Sequence, residues 1–120
     1  MNKLRVGICG WGNVATGLFK TLQTNSVEIK KRSNLEIEII AIGARRDNPK
    51  CDPDNVIIER DIFKIIDHDI DVVVELIGGI DVARDLILKA LNAKKHVVTA
   101  NKAVIFNHGD ELFSVANKNG

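Results

Sequence analysis

The stretch Gly7-Ile8-Cys9-Gly10-Trp11-Gly12-Asn13-Val14-Ala15-Thr16-Gly17 constrains the fold of this chain more than any other. It follows the apolar run Leu4 to Cys9 and opens a segment in which Val14, Ala15, Leu18, Phe19 and Leu22 recur at helical spacing. A strand must therefore turn sharply into a helix around Gly10 and Gly12. Side chains there would obstruct both the turn and the close approach of a pyrophosphate to N–H groups at the helix N-terminus, so the spacing predicts a dinucleotide cradle built on Gly10, Trp11, Gly12, Asn13 and Val14. The third position of the fingerprint is Ala15, which the pattern allows. A short glycine motif also occurs as a purely structural strand-to-helix turn, and the pattern alone leaves that reading open.

The rest of the chain repeats the alternation. A helix from Asn13 to about Asn25 leads to a strand from Leu35 to Ala44, with the basic run Glu28 to Asn34 expected as a solvated helix end and loop. Asp47 to Asn55 has the proline and Asx content of an exposed loop. A short run Val56-Ile57-Ile58 and a short helix around Asp61 to Ile66 precede the strand Asp71 to Ile77, whose continuous apolar character suits burial on both faces. Asp81 is expected to cap a helix with Val82, Ala83, Leu86, Ile87, Ala90 and Leu91 as its apolar stripe. His96 to Thr99 reads as another strand, and Asn107 as the cap of a last helix reaching about Asn119. Strands alternating with helices imply a doubly wound α/β fold with a mostly parallel sheet, in which ligands bind outside the C-terminal ends of the strands. That rule gathers four segments into one crevice: Gly10 to Ala15, Ala44 to Asp47, Glu75 to Gly79 and Thr99 to Lys102.

Composition narrows the function classes. At 120 residues and 45% hydrophobic, the chain makes one domain with a real core. Its 17 basic and 16 acidic residues argue against general electrostatic binding to nucleic acid or an anionic membrane. No apolar run has the length of a membrane span, and Met1 to Arg5 leads directly into a strand, so a cytoplasmic location is expected. Cys9 and Cys51 read as free thiols, and His68, His96 and His108 lack ligand-like spacing, so no metal is expected.

Within the crevice the end of the second strand discriminates between cofactors. An acidic residue there hydrogen-bonds the ribose 2′-OH of NAD, whereas arginine pairs with the 2′-phosphate of NADP. Arg45 and Arg46 favour NADP, and Asp47 keeps NAD open; surface arginines at a loop entrance are the plain alternative. Lys102, just past the strand ending at Thr99, is the catalytic candidate, since an ammonium there could polarise a carbonyl or alkoxide during hydride transfer. An exposed lysine at a helix start reads equally well. Glu75, at the end of a central strand, either meets a ligand or is hydrogen-bonded by the following turn.

These residues also carry a resemblance. Val6 to Val14, Val74-Glu75-Leu76-Ile77-Gly78-Gly79 and especially Lys95-His96-Val97-Val98-Thr99-Ala100-Asn101-Lys102-Ala103, extended by His108 to Leu112 and by Arg46-Asp47, resemble the N-terminal NAD(P)-binding domain of homoserine dehydrogenases from Leu4 to Gly120. Ala15 departs from the glycine usual in that family, which bears on the tightness of the loop. The resemblance implies a Rossmann-like fold, incomplete relative to the full enzyme, and interconversion of L-homoserine and L-aspartate 4-semialdehyde with NADP or NAD, toward threonine and methionine. It implies Gly78, Thr99, Ala100 and Lys102 beside the cofactor, with Lys102 near the nicotinamide. It also implies a substrate-binding and dimerisation region absent from this chain. Residues 1–120 are thus expected to bind a nicotinamide dinucleotide without turning over homoserine, to self-associate weakly through exposed apolar edge surface, and to derive from a homodimeric parent. Sugar dehydrogenases of similar architecture read Glu-Lys-Pro where this chain has Asn101-Lys102-Ala103, which disfavours them. A non-catalytic nucleotide-sensing module would need the glycine turn but not Lys102.

Overall fold

The computed structural model describes residues 2–46, 48, 52, 53 and 56–119. Cys51 and Asp47 lie outside them. In chain order the elements are β1 (Asn2–Cys9), α1 (Asn13–Thr24), α2 (Ser26–Ser33), β2 (Leu35–Gly43), β3 (Ile57–Glu59), a 3-10 helix (Ile62–Asp67), β4 (Val72–Glu75), α3 (Asp81–Asn92), β5 (His96–Thr99) and α4 (Lys102–Asn119). The strands form one sheet in the order β3-β2-β1-β4-β5, every pairing parallel. This is a Rossmann-like doubly wound sheet. The order reverses between β1 and β4, which is where such a sheet opens a crevice at its C-terminal edge.

Alternation along the strands builds a core on each face. Val6, Ile8, Ile42 and Val72 turn toward α1, where they meet Ala15, Phe19 and the Trp11 ring. Cys9, Ala41 and Val73 turn the other way, against Ile65, Ile66 and Ile70 around the 3-10 helix and against Leu86 and Ala90 of α3. Gly7 is small for a reason of packing, because a Cβ there would lie 2.7 Å from Ile65 Cγ2 and 2.9 Å from Ile70 Cδ1. Farther along, α3 and α4 pack through Ala83, Ile87, Val104 and Leu112. Val98 of the edge strand β5 is exposed, as are Phe106 and Phe113 on α4. No helix among the described residues is long and apolar enough to cross a membrane.

Three local expectations are revised. The basic run is a second helix, α2, because Glu28 pairs with Arg32 one turn on at 2.7 Å and Asn34 closes the helix in the left-handed region at φ 55°. None of its residues is fully buried. The last helix starts at Lys102 and not after Asn107: Asn101 Oδ1 accepts the Val104 N–H at 3.1 Å, while Asn107 Nδ2 donates to Ala103 O inside the helix. Asp81 is the first residue of α3 and not its side-chain cap; its carboxylate sits where the helix dipole favours it. Val14 is 66% exposed, turned away from the core face of α1.

An exposed clasp joins α3 to α4. Arg84 donates from Nε to Glu111 Oε1 at 2.6 Å and from Nη2 to Oε2 at 2.8 Å. The hydrogen bond from Arg84 holds the Glu111 carboxyl below its ordinary 4.5, with charge attraction from Arg84 and then His108 acting the same way against partial desolvation. A carboxyl depressed in the folded state contributes stability fully above its unfolded value and loses it as pH falls through the folded one. Thermal unfolding followed from neutral pH downward should therefore show wild type and Glu111→Gln converging below about pH 4.5. A constant gap at all pH values would contradict the clasp.

Candidate functional site

The cradle is built where β1 ends. Gly10 takes φ +112°, a conformation that L side chains rarely adopt, and a Cβ on it would meet the Leu76 carbonyl oxygen at 2.7 Å. Its N–H donates to Gly43 O at 2.8 Å, and Leu76 N–H donates to Cys9 O at 2.9 Å. The turn is thus clamped between β2 and the end of β4. Gly12 then starts α1 from an extended φ of −92°, and beyond its own chain neighbours nothing lies within 4 Å of the Cβ position it leaves vacant. Open space in front of a helix N-terminus, next to a turn that admits only glycine, fits a pyrophosphate resting on backbone N–H groups. The Trp11 ring faces inward and meets Phe19 edge-on, with ring centroids 5.2 Å apart. It supports the turn from below.

Two adjoining crevices open along this edge. One, of about 320 Å³, is lined by Gly10, Trp11 and Gly12 with Gly43, Arg45 and Gly78 among its other walls. The second, of about 420 Å³, runs from Val14 and Glu75 across Gly78 and Gly79 to Ala100, Asn101 and Lys102. They share Leu76, Ile77 and Gly78. The described parts of all four segments gathered from the sequence therefore meet at the sheet's C-terminal edge. Arg45 lines the first crevice; Arg46 is exposed beside it and, like Asn13, lines neither. Neither arginine has an ion-pair partner among the described residues. A third guanidinium, Arg60, donates to Ala44 O at 3.2 Å from the end of β3, a placement that only the β2–β3 register reveals.

Lys102, exposed at the first residue of α4, has no carboxylate partner among the described residues. Thr99 stands behind it. Its Oγ1 donates to Glu75 Oε1 at 2.6 Å and accepts the Asn101 N–H at 3.0 Å. Glu75 is completely buried, and its other oxygen accepts the Ile77 N–H at 2.8 Å. This pairing and the Asn101 cap escaped sequence reasoning, although Asn immediately before a helix was a readable signal. Cys9 adjoins Glu75 across the β1–β4 pairing. Burial, with the nearby Glu75 charge adding to it, pushes its thiol up to about 12, so it has no nucleophilic character near neutral pH. Among the described residues no group of three or more His, Cys, Asp or Glu is placed to hold a metal ion.

Comparison with known proteins agrees with this geometry. Residues 10–120 match the family described as homoserine dehydrogenase, NAD binding domain. The chain is 50% identical over 121 residues to a homoserine dehydrogenase of Pseudomonas aeruginosa, covering 100% of this chain and 28% of that protein. It is 41% identical to the homoserine dehydrogenase of a Synechocystis strain, covering 98% of this chain and 27% of that one. The crystal structure of a homoserine dehydrogenase from Thiobacillus denitrificans superposes with a TM-score of 0.91 at 36% identity, over 99% of this chain and 28% of the other. The chain thus spans little more than a quarter of the length of these relatives. Matched by the family over residues 10–120 and by these relatives over nearly its whole length, the chain belongs to the family of homoserine dehydrogenase NAD-binding domains.

Proposed function

We propose that this chain is the cofactor-binding domain of an oxidoreductase that interconverts L-homoserine and L-aspartate 4-semialdehyde, and that its preferred cofactor is NADP. The observation that carries the reading is the meeting of the Gly10 turn, the Gly78-Gly79 loop and the Ala100 to Lys102 segment around two adjoining crevices at the sheet's switch point. When bound, the dinucleotide supplies or accepts the hydride. The residues of this chain hold and orient it. Gly10 sets the turn, the backbone N–H groups of Trp11, Gly12, Asn13 and Val14 receive the pyrophosphate, Gly78 gives the chain room to pass, and Ala100 and Lys102 form the far wall with Thr99 behind them. Lys102 brings an exposed ammonium to the end where the reacting carbonyl would lie, as an electrostatic and positioning group. Because the chain matches little more than a quarter of its relatives' length, it is expected on its own to bind cofactor and leave homoserine unchanged.

Preference for NADP rests on Arg45 and Arg46 at the end of β2, where a guanidinium can grip a 2′-phosphate. Trp11, the only tryptophan, sits in the cradle and reports on binding. Titration with NADPH should change its emission, with calorimetry giving the same affinity, and NADH should bind more weakly. An unchanged emission together with no heat for either nucleotide would reject the reading. Arg46→Ala should weaken NADPH by about 1–3 kcal/mol and NADH by much less. Equal losses would remove Arg46 from that role.

A further inference from the structure

We propose that Glu75 is a positioning residue that sets Lys102 and the Gly78-Gly79 rim in place through Thr99 and Asn101, an inference that rests on the cofactor site proposed above. Glu75 occupies the one place where β1, β4 and β5 lie side by side at their C-terminal ends: Cys9 is its Cα partner in β1 and Thr99 its partner in β5. A buried carboxylate there is costly unless its oxygens are satisfied. Oε2 takes the Ile77 N–H at the entrance to the β4–α3 loop, and Oε1 takes the Thr99 hydroxyl. Because a carboxylate only accepts, the Thr99 hydroxyl must donate to it, which leaves a Thr99 lone pair for the Asn101 N–H. Asn101 then acts on both sides of the crevice. Its Oδ1 caps α4 at Val104 N, and its Nδ2 donates to Gly79 O at 2.5 Å, back on the β4–α3 loop.

The bonds close a ring: Glu75 to Thr99, Thr99 to Asn101, Asn101 to Gly79, and the chain from Gly79 back through Ile77 to Glu75. Both rims of the second crevice are fastened to one buried group. Lys102 is flanked by Asn101 and Val104, which share the capping bond, so its backbone is fixed while its side chain stays exposed. An apolar residue of equal size at position 75 would fill the same volume, yet it would give the Thr99 hydroxyl no direction. The Oε1 arm, through Thr99 and Asn101, therefore serves the crevice end at which a nicotinamide would lie and reaches no wall of the crevice that Arg45 lines.

Calorimetry on the 120-residue chain with two probes tests this. NADPH reaches both ends of the site, whereas adenosine 2′,5′-bisphosphate reaches only the adenosine end. Thr99→Val should weaken NADPH on the order of tenfold and the bisphosphate by less than about twofold, and Thr99→Ser, which keeps the hydroxyl, should restore NADPH to within about twofold of wild type. Glu75→Gln should follow Thr99→Val if it folds; Thr99→Val carries the test regardless, since Thr99 is only partly buried. Lys102→Ala should cost roughly fivefold in NADPH affinity in the wild-type background and less than about twofold in Thr99→Val, because a lysine no longer held has less to lose. Equal weakening of both probes by Thr99→Val, or an undiminished Lys102→Ala effect in its background, overturns the positioning role alone. A wild-type chain that binds neither probe overturns the cofactor reading and this proposal with it.

Discussion

Gly10→Ala should destabilise the chain by about 2–4 kcal/mol, the strain of a side chain in a glycine-only conformation added to a backbone collision. The collision cannot relax cheaply. The new Cβ would stand 2.7 Å from Leu76 O, and Leu76 is tied to Cys9 while Gly10 itself is tied to Gly43. Moving any partner breaks a bond at the meeting of three strands. For a domain of this size the loss corresponds to a fall of about 10 °C in Tm, read by calorimetry or circular dichroism. Gly12→Ala separates folding from binding. At φ −92° with open space around its Cβ position, it should move Tm by no more than about 3 °C. Its methyl group would nevertheless stand where the pyrophosphate is proposed to rest, weakening NADPH on the order of tenfold or more. A Gly10→Ala chain melting within 2 °C or so of wild type would refute the clamped turn.

Phe19→Ala should cost about 3–5 kcal/mol, as large aromatic truncations in a packed core do. Phe19 is 1% exposed and joins Val6, Ile8 and Ile42 of the sheet to α1. A domain of 120 residues has roughly 6–18 kcal/mol of stability in all, so this one change removes a large share of it. The effect should extend beyond stability, because the edge of one ring meets the face of the other in the Trp11 and Phe19 pair. Losing Phe19 leaves the floor of the cradle unsupported, and Trp11 emission in the folded chain should shift. Phe19→Leu should recover all but about 1–1.5 kcal/mol. Urea unfolding measures both values, and a Phe19→Ala loss under about 1 kcal/mol would show that the site collapses around the gap.

Much of this was written locally in the chain. Apolar runs separated by amphipathic stretches predict four of the five strands in order, leaving the short run that becomes β3 unassigned, and the parallel sheet then brings distant strand ends to one edge without any knowledge of side-chain contacts. Local reading failed where tertiary partners decide. The run after Asn25 is too polar to show a core-facing stripe, and α2 combines its Glu28–Arg32 pair and left-handed close with packing along β2. Asn101 and Asn107 are equally good caps by residue type, and the grip of Asn101 on Gly79 goes with the earlier start. The Glu75 and Thr99 pair, 24 residues apart, follows from the β4–β5 register alone, which no pattern of apolar residues specifies to the atom.

The central place of β1 also sets an order of events in folding. Although β1 is synthesised before the other strands of its sheet, one of its edges waits for β4, and Arg5 N–H finds the Asp71 carboxylate only across 66 residues. At typical rates of synthesis that is a delay of roughly 3–13 s, during which an apolar strand has a bare edge. Such long-range parallel pairing is also intrinsically slow to form. Since the Leu76 carbonyl is a wall of the Gly10 turn, the cradle has no shape until β4 has docked. A dinucleotide can therefore stabilise the finished domain by mass action, but it arrives too late to guide the assembly of its own site.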